Sequence, residues 1–316
     1  MERSPLIVLT GPTAVGKTEL SLELADRIRA EIINGDSMQI YKKMNIGTAK
    51  IRPEEMRGIP HHLLDQLMPD EEYNVVIFQK LAKEAMQGIL SRGKIPLVVG
   101  GSGFYIQALW SDIEFTETES DSQFRKQLYQ QAKEQGPEVL YQRLCQLDPE
   151  SAQKIHPHNV KRVIRALEFY EKTGEKISAH NEEQKQKESP YNGVCFVLTL
   201  PREELYKRIE QRVDRMMEEG LLQEVQGLLD EGYSPDLVSM QGLGYKEFIP
   251  YLKGECTLEE AVRILKRDTR HFAKRQLTWF SGRKETLWID KSKFENEEEI
   301  LTYILNVLKE RGIYCE

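Results

Sequence analysis

The stretch LTGPTAVGKTEL, Leu9–Leu20, contains the pattern of a phosphate-binding loop. In the pattern G-x-x-x-x-G-K-[ST], glycines allow successive backbone N–H groups to face a phosphate, and the lysine adds positive charge. The run PLIVLT before the loop predicts a buried strand, and KTELSLELADRI after it predicts an amphipathic helix. The loop therefore predicts a bound phosphate group without specifying a reaction. The candidate phosphate-binding residues are Gly11, Pro12, Thr13, Ala14, Val15, Gly16, Lys17 and Thr18.

Thr18 is expected at the N-terminus of the helix that follows the loop. At this position the helix dipole favours anions, and a hydroxyl can coordinate Mg²⁺ that is bound to phosphate. Thr18 is therefore the candidate metal ligand, and Mg²⁺ is the expected cofactor.

Short apolar strands alternate with helical patterns in the first part of the chain. The predicted strands are Pro5–Thr10, Glu31–Asn34 and Ile95–Val99, and the predicted helices begin at Lys17 and span about Phe78–Ser91. This alternation is typical of a parallel sheet covered by helices. We expect an α/β protein with a P-loop NTPase-like core, whose ligands bind at the carboxyl ends of the strands.

The chain between 113 and 192 differs in composition. It is rich in Gln, Glu, Lys and Asp and has helical periodicity, which predicts an inserted all-helical domain. Strand-like sequence returns as GVCFVLTL at 193–200, and REELYKRIEQRVDRMMEEGLL after it predicts one long helix. The core is thus expected to comprise 1–112 and 193–316, with a late strand at 286–290 and a terminal helix.

The composition is that of a globular protein that stays where it is made. Apolar residues make up 40% and charged residues 30% of the 316 residues, and no apolar run reaches the length of a membrane span. The early run LIVL is too short for a signal peptide. The four cysteines lack the paired spacing of a metal or redox site, which fits a reducing compartment. We expect a cytoplasmic protein with no membrane partner.

Two further loops follow predicted strands, NGDSMQIY at 34–41 and GGSGFY at 100–105. Asp36 in the first loop is suited to bind Mg²⁺ or to accept a proton, and the alternative is an ordinary turn residue. Its place beside a phosphate loop favours the first two roles. Ser102 in the second loop is expected near the same ligand.

Two predicted helices carry rows of positive charge. Arg208, Arg212 and Arg215 share one helix face and either close over a polyphosphate or belong to a solvated helix laced with acids. Between 260 and 284, eight Lys or Arg residues accompany two acids, although the formal net charge of the chain is −7. This segment suits a nucleic-acid backbone, and the alternative is a solvated charged face. Its basic stripe comprises Arg263, Arg267, Arg270 and Lys274, with His271, Arg275 and Trp279 close by.

The pair His61 and His62, in GIPHHLLD, raises the question of a metal site. Adjacent histidines point in different directions on any regular element, and no cysteine accompanies them. We therefore expect a role in packing.

Seven segments together resemble the tRNA dimethylallyltransferases, also called isopentenyl-tRNA transferases. In the order of that family they are GPTAVGKTEL, GDSMQIYKKMNIGTAK, PHHLLD, PLVVGGSGFY, HPHNVKRVIRALE, QGLGYKE and KRQLTWF. The resemblance implies an enzyme that moves a dimethylallyl group from dimethylallyl diphosphate to the exocyclic N6 amine of the adenosine 3′ of a tRNA anticodon, releasing diphosphate. The implied partners are the tRNA anticodon arm and dimethylallyl diphosphate, and we expect a monomer.

The resemblance also implies roles for single residues. It places Asp36, Ser37, Met38 and Gln39 against the flipped adenine, with Ser102 beside them. Many relatives carry Thr at the position of Ser102, and both residues have a hydroxyl group. The implied tRNA contacts elsewhere are Arg125, Asn159, Val160, Lys161, Arg162, Val163, Gly242, Gly244, Tyr245, Lys274, Arg275, Gln276 and Trp279.

The implied reaction makes demands that the candidate residues can meet. Departure of diphosphate requires stabilised negative charge, which Lys17, Mg²⁺ at Thr18 and Arg212 can supply. An adenine amine is a poor nucleophile, and Asp36 is suited to accept its proton. The base must also leave its stack, which requires a basic cleft and a purine pocket. The candidate catalytic residues are therefore Lys17, Thr18, Asp36, Ser102 and Arg212.

Two other functions fit parts of the sequence. A small-molecule or nucleotide kinase with the same core would bind ATP at the loop, with the arginines as a lid. That function leaves the basic segment near the C-terminus without a role. A non-catalytic RNA-binding protein would explain the basic segment but not the Mg²⁺-type loop.

Overall fold

The structure is a computed structural model and describes residues 3–115, 123–283 and 286–315. The chain divides into two compact units, one formed by 1–110 with 189–316 and the other by 111–188. Position 192, assigned above to the insertion, begins a strand of the first unit.

The helices and strands of both units are bounded as follows. The strands are β1 Pro5–Thr10, β2 Ala30–Asn34, β3 His61–His62, β4 Ile95–Gly100, β5 Asn192–Thr199 and β6 Thr286–Asp290. The helices are α1 Lys17–Arg27, α2 Val75–Ser91, α3 Gly103–Trp110, α4 Gln123–Gln135, α5 Pro137–Leu147, α6 Pro149–Lys154, α7 Val160–Thr173, α8 Ile177–Gln186, α9 Arg202–Glu218, α10 Leu221–Asp230, α11 Ile249–Leu252, α12 Leu258–Ser281 and α13 Glu297–Glu310. Short 3₁₀ turns occupy Pro53–Glu55 and Lys291–Lys293.

The six strands form one parallel sheet in the order β3-β2-β4-β1-β5-β6. The central strand β1 pairs with β4 on one side and β5 on the other. Both faces of β1 and β2 are buried, which explains the continuous apolar run of β1. The predicted α/β fold, with a phosphate loop between β1 and α1, is confirmed.

Successive side chains of β1 point into two different cores, because neighbouring residues of a strand face opposite sides of the sheet. Leu6 lies in a core with Phe78 of α2 and Phe280 of α12. Its neighbour Ile7 lies in the opposite core with Leu20 of α1. The sheet is therefore the middle of three layers, and its carboxyl edge is left for loops.

The prediction of a single long helix after β5 is wrong, because two helices, α9 and α10, occupy this part of the chain. Gly220 interrupts the helix with a φ of 100°, a left-handed value that glycine adopts without steric cost. Val213, Met217 and Leu221 keep a helical spacing across the break and all pack into one core. The apolar pattern alone therefore conceals the turn.

The unit formed by 111–188 is built from α4 to α8 around a small leucine-rich core. Polar contacts connect two of its helices. The buried carboxylate of Asp148 accepts hydrogen bonds from the backbone N–H and hydroxyl groups of both Ser151 and Ser178, at 2.6–3.1 Å. Burial alone would raise the pKa of Asp148, but these hydrogen bonds lower it overall. A charged carboxylate thus joins the starts of α6 and α8.

We expect Gly100→Ala to destabilise the first unit by about 1–3 kcal/mol, as overpacking commonly does. A Cβ atom at Gly100 would lie 2.2 Å from the carbonyl carbon of Gly35, in the loop after β2. Urea unfolding followed by circular dichroism measures the change. The matched control is Gly227→Ala in α10, where a Cβ atom meets nothing within 4 Å. That variant should gain about 0.4–1 kcal/mol, and equal stabilities of the two variants would contradict the close approach.

Candidate active site

A cavity of about 770 Å³ opens at the carboxyl ends of β1, β2 and β4. The phosphate loop, the loop after β2, the segment 45–52 and parts of α9 and α12 line it. The predicted site residues among its lining are Thr13, Ala14, Gly16, Lys17, Thr18, Asp36, Gln39, Arg212 and Gln276. The structure thus brings the phosphate-binding and base-contacting candidates together with Arg212 and Gln276, which lie far from them in the sequence.

The phosphate loop is shaped by its glycines. A Cβ atom at Gly11 would lie 2.5 Å from the carbonyl oxygen of Leu198 in β5, so no other residue fits there without movement. Gly16 precedes α1 in a left-handed conformation, and no side chain caps this end of the helix. The first N–H groups of α1 therefore remain available to an anion.

The side chain of Lys17 folds back over the phosphate loop. Its Nζ donates hydrogen bonds to the carbonyl oxygens of Gly11 and Pro12, each at 2.9 Å. Burial and, to a lesser extent, the charge of Arg212 lower the pKa of Lys17 to about 7, although the charge of Asp36 opposes both effects. An incoming phosphate would favour the charged form of this amine.

Asp36 is held by the end of β2. The side chain of Asn34 accepts a hydrogen bond from the Asp36 backbone N–H at 3.0 Å, and Oδ1 of Asp36 accepts one from Met38 N–H at 2.9 Å. Burial raises the pKa of Asp36, against the effects of Met38 N–H, Lys17 and Arg212. A carboxylate with a raised pKa is a stronger base than an ordinary aspartate.

Ser102 connects two of the loops. Its hydroxyl accepts a hydrogen bond from the backbone N–H of Ser37 at 3.0 Å and lies 3.3 Å from the Ser37 hydroxyl. Its own backbone N–H donates to the carbonyl oxygen of Gly35. These contacts give Ser102 a structural role. Its catalytic role stays a prediction.

Gln276 of α12 joins the phosphate loop to the second glycine-rich loop. Its Oε1 accepts from the Thr13 backbone N–H at 2.9 Å, and its Nε2 donates to the Gly101 carbonyl at 3.0 Å. Only 5% of Gln276 is exposed. Its side chain is therefore engaged inside the protein, and its expected contact with tRNA stays a prediction. The sequence signal was a glutamine on the buried face of α12, among Ala273 and Phe280.

Three arginines of α9 line the cavity, as their spacing predicted, but they differ in their partners. Nη1 of Arg212 donates to the Thr13 hydroxyl at 3.3 Å, which places this guanidinium at the phosphate loop. Arg208 pairs with Glu204 one helical turn away, at 2.7 Å. Arg215 is exposed at the cavity.

The basic stripe of α12 is mostly paired with acids. Arg263 contacts Glu260, Arg267 contacts Asp268, and Arg270 contacts Glu210 of α9. For these three residues the structure agrees with the solvated, ion-paired alternative. Within the described residues, Lys274 and Arg275 are exposed and have no carboxylate partner, and Arg275 lies over the Phe272 ring.

Other implied tRNA contacts of the first unit lie around Gly242–Tyr245. The side chain of Tyr245 is fully buried, and the expected contact of its segment with tRNA stays a prediction. Gly242 packs against Met38, whose Cε would lie 2.4 Å from an added Cβ. Trp279 is 38% exposed and packs edge-on against Phe104.

The second unit carries the remaining implied contacts. Val163 is buried in its core, so its side chain is not available to RNA. Asn159 caps α7, and Lys161 and Arg162 in the first turn are exposed. Arg125 forms an ion pair with the buried Glu168. The exposed part of this group is thus Asn159, Lys161 and Arg162.

The two histidines form the short edge strand β3. Nδ1 of His61 bonds to the Ile59 carbonyl at 2.8 Å, and Nε2 of His62 bonds to the buried Glu31 at 2.8 Å. Glu31 also binds Arg92, whose hydrogen bond is the largest factor lowering the pKa of Glu31. These contacts agree with a packing role. The described residues contain no group of three or more His, Cys, Asp or Glu placed to hold a metal ion.

Residues 39–285 match the model of a protein family described as IPP transferase. The tRNA dimethylallyltransferase of Lachnoclostridium phytofermentans is 55% identical, over 98% of this chain and 99% of its own length. The chain belongs to the IPP transferase family. The resemblance to this family that the sequence predicted is confirmed, and membership of the family identifies the protein as a prenyltransferase.

Solved structures of family members have the same fold. The full-length tRNA isopentenylpyrophosphate transferase of Bacillus halodurans has a TM-score of 0.73 and 43% identity, with 98% of each chain covered. A eukaryotic dimethylallyltransferase acting on tRNA has a TM-score of 0.85 and 32% identity, over 98% of this chain and 80% of that one. The names of these relatives support a transferase rather than the kinase alternative. Among the described helices, none combines the length and apolar character needed to cross a membrane.

We expect diphosphate binding to take up a proton near pH 7 and to weaken as the pH rises above 7. The free Lys17 amine, with a pKa of about 7, is then largely neutral and must regain its proton to pair with the anion. Calorimetric titration with inorganic diphosphate, in two buffers of different ionisation enthalpy, measures the uptake. Lys17→Met should abolish this contribution, while Lys161→Met on exposed α7 should leave it unchanged. Equal uptake by parent and Lys17→Met would exclude Lys17 as its source.

Proposed function

We propose that this protein transfers the dimethylallyl group of dimethylallyl diphosphate to N6 of the adenosine 3′ of the anticodon in tRNA and releases diphosphate. The observation that carries the proposal is the shared cavity of the phosphate loop and Asp36, in a chain of this family. Two of the relatives described above are named as dimethylallyltransferases that act on tRNA.

The diphosphate end of the donor is assigned to the phosphate loop. The N–H groups at the start of α1, Lys17 and Arg212 surround one end of the cavity. These groups would stabilise the charge that develops on diphosphate as it leaves. Because they belong to buried, hydrogen-bonded elements, little reorganisation is needed when the charge appears.

Mg²⁺ fits this end of the cavity through Thr18. The residue is exposed and lines the cavity, and its hydroxyl is the kind of oxygen ligand that Mg²⁺ takes together with substrate phosphates and water. When bound, the metal would neutralise part of the charge on the leaving diphosphate. Since no cluster of acids among the described residues could hold the ion alone, phosphate oxygens would complete its coordination.

The acceptor end of the cavity is assigned to Asp36 and Gln39. The N6 nitrogen forms a bond to C1 of the dimethylallyl group, and the C1–O bond to diphosphate breaks with its electron pair. The N6 proton passes to the Asp36 carboxylate, whose raised pKa suits a general base. Ser102 and Ser37 hold the backbone that carries Asp36.

Binding of tRNA is assigned to the exposed cations and to the helical unit. Lys274, Arg275 and Trp279 on α12 offer two charges and a ring. Asn159, Lys161 and Arg162 offer a similar polar surface in the unit formed by 111–188, which we propose as a tRNA-contacting domain. We further propose that the protein works as a monomer in the cytoplasm.

The experiment that tests the function is nucleoside analysis of tRNA after incubation with dimethylallyl diphosphate. The expected product is N6-dimethylallyladenosine at the position next to the anticodon. A parallel incubation with ATP and tRNA alone should give no modified product. Modification at another position, or none, would overturn the proposal.

We expect Asp36→Asn to lower the single-turnover rate by roughly 10²–10⁴, the usual contribution of a positioned general base. Dimethylallyl diphosphate should still bind, because the phosphate loop is intact. Asp26→Asn, an exposed residue of α1, is the matched control and should leave the rate unchanged. A rate within about threefold of the parent would remove Asp36 from this role.

In the parent, the rate should fall as the pH is lowered through the raised pKa of Asp36, because only the ionised carboxylate accepts a proton. The acidic limb of the profile of kcat/KM for tRNA against pH measures this titration. The limb should be absent from Asp36→Asn.

We expect the double variant Lys274→Gln, Arg275→Gln to bind tRNA more weakly and with less dependence on salt. Each lost phosphate contact lowers the log–log slope against salt by about 0.7–0.9. Filter binding at several salt concentrations provides the slopes. The control is Arg263→Gln, because Arg263 already pairs with Glu260. Equal slopes for the double variant and the parent would exclude both residues from the interface.

A further inference from the structure

Glu224 of α10 accepts hydrogen bonds from three consecutive backbone N–H groups on another segment. Its two carboxylate oxygens receive the N–H groups of Asn45 at 2.8 Å, Ile46 at 2.8 Å and Gly47 at 3.0 Å. The hydroxyl of Tyr245 donates to the same carboxylate at 2.7 Å. One side chain thus fixes the conformation of the turn at 45–47.

Tyr245 closes this arrangement from the other side. Its ring is fully buried against Gly47, where an added Cβ would lie 2.6 Å from the ring. Burial, with the adjacent charge of Glu224, raises the pKa of Tyr245 well above its ordinary value. The hydroxyl therefore keeps its proton and remains a donor.

The far end of the same segment is also fixed. Nζ of the buried Lys50 donates to the Tyr41 carbonyl at 2.6 Å, to Oδ1 of Asn45 at 3.0 Å and to Asp65 at 2.6 Å. Residues 45–50 are thereby anchored at both ends, by a carboxylate and by an ammonium group. Most of them line the cavity described above.

The anchored segment orients Gln39. Nε2 of Gln39 donates to the carbonyl oxygens of Thr48 at 3.1 Å and Ala49 at 3.4 Å. With both carbonyls facing the amide nitrogen, the carbonyl oxygen of Gln39 is the end left for a ligand. An acceptor at this point suits the exocyclic amine of adenine and disfavours a purine with a carbonyl group there.

We propose that Glu224 is a positioning residue for base recognition, which sets the segment 45–50 so that Thr48 and Ala49 hold the Gln39 amide in its reading orientation. The inference rests on the proposed function, in which Gln39 meets the acceptor base. It assigns Glu224, on a helix outside the phosphate loop, to the choice of acceptor.

A double-mutant cycle tests this connection. We expect Glu224→Gln and Gln39→Ala each to slow single-turnover transfer to an anticodon-arm RNA by about tenfold, through lost hydrogen bonds. The double variant should be no slower than Gln39→Ala, because the first change acts through the second residue. Affinity for inorganic diphosphate should stay at the parent value in all three variants. Additive effects in the cycle would overturn the inference, as would a parent-like rate in either single variant.

The matched control is Glu231→Gln at the end of the same helix. Glu231 pairs with Lys43, next to the anchored segment, but in an exposed ion pair. Its rate should equal that of the parent, and a loss as large as that of Glu224→Gln would assign the effect to charge alone and overturn the inference.

If Glu224→Gln does not fold, Tyr245→Phe replaces it in the double-mutant cycle. It removes one donor to Glu224 and keeps the ring against Gly47, so we expect about a threefold loss, again absent in the Gln39→Ala background. A loss that persists in that background would overturn the inference. Failure of the proposed function is distinct, since the parent itself would then leave the RNA unmodified.

Discussion

The side-chain amide of Gln276 makes the two hydrogen bonds on which the cavity depends. One secures Thr13 in the phosphate loop, and the other secures Gly101 in the loop after β4. A buried amide must satisfy both of its ends, so α12 cannot slide without leaving one of them unpaired. Because the adjacent Ser102 in turn holds Ser37, loops from three strands form one frame. The donor and acceptor ends of the cavity are thereby fixed relative to each other.

The ionisable groups inside this frame, Lys17 and Asp36, have pKa values that suit the proposed chemistry. Burial disfavours the charged forms of both Lys17 and Asp36, lowering one pKa and raising the other. A diphosphate would compensate Lys17 and Arg212, and the amine proton of a purine would meet a carboxylate of increased basicity. The same exclusion of water that makes these groups costly in isolation strengthens their interaction with substrate.

The sequence predicts local features of this site and misses those that depend on distant contacts. The phosphate loop, Asp36 and the first strands are visible because spacing along one short segment determines them. The hydrogen bond between Gln276 and Thr13 is not visible in the sequence, because neither segment reveals that the two residues lie side by side. The turn held by Glu224 is equally invisible, since its N–H groups belong to a segment far along the chain. The pairing of Arg270 with Glu210 joins two helices, so the spacing of residues within α12 does not reveal it.

The order of strands in the sheet has a consequence for the folding of the chain. Central strand β1 pairs with β5, and the whole unit 111–188 is synthesised between them. Thr13 and Gln276 are separated by 263 positions, so the phosphate loop leaves the ribosome long before the residue that secures it. Contacts of such long range close late, because the entropy of a large loop must be overcome first. During translation β1 can pair with β4 before the helical unit is made, but β5 and Gln276 become available only with the later part of the chain. The phosphate loop is the earliest part of the site to be made, and it gains its hydrogen bond to Gln276 only after α12 has been made.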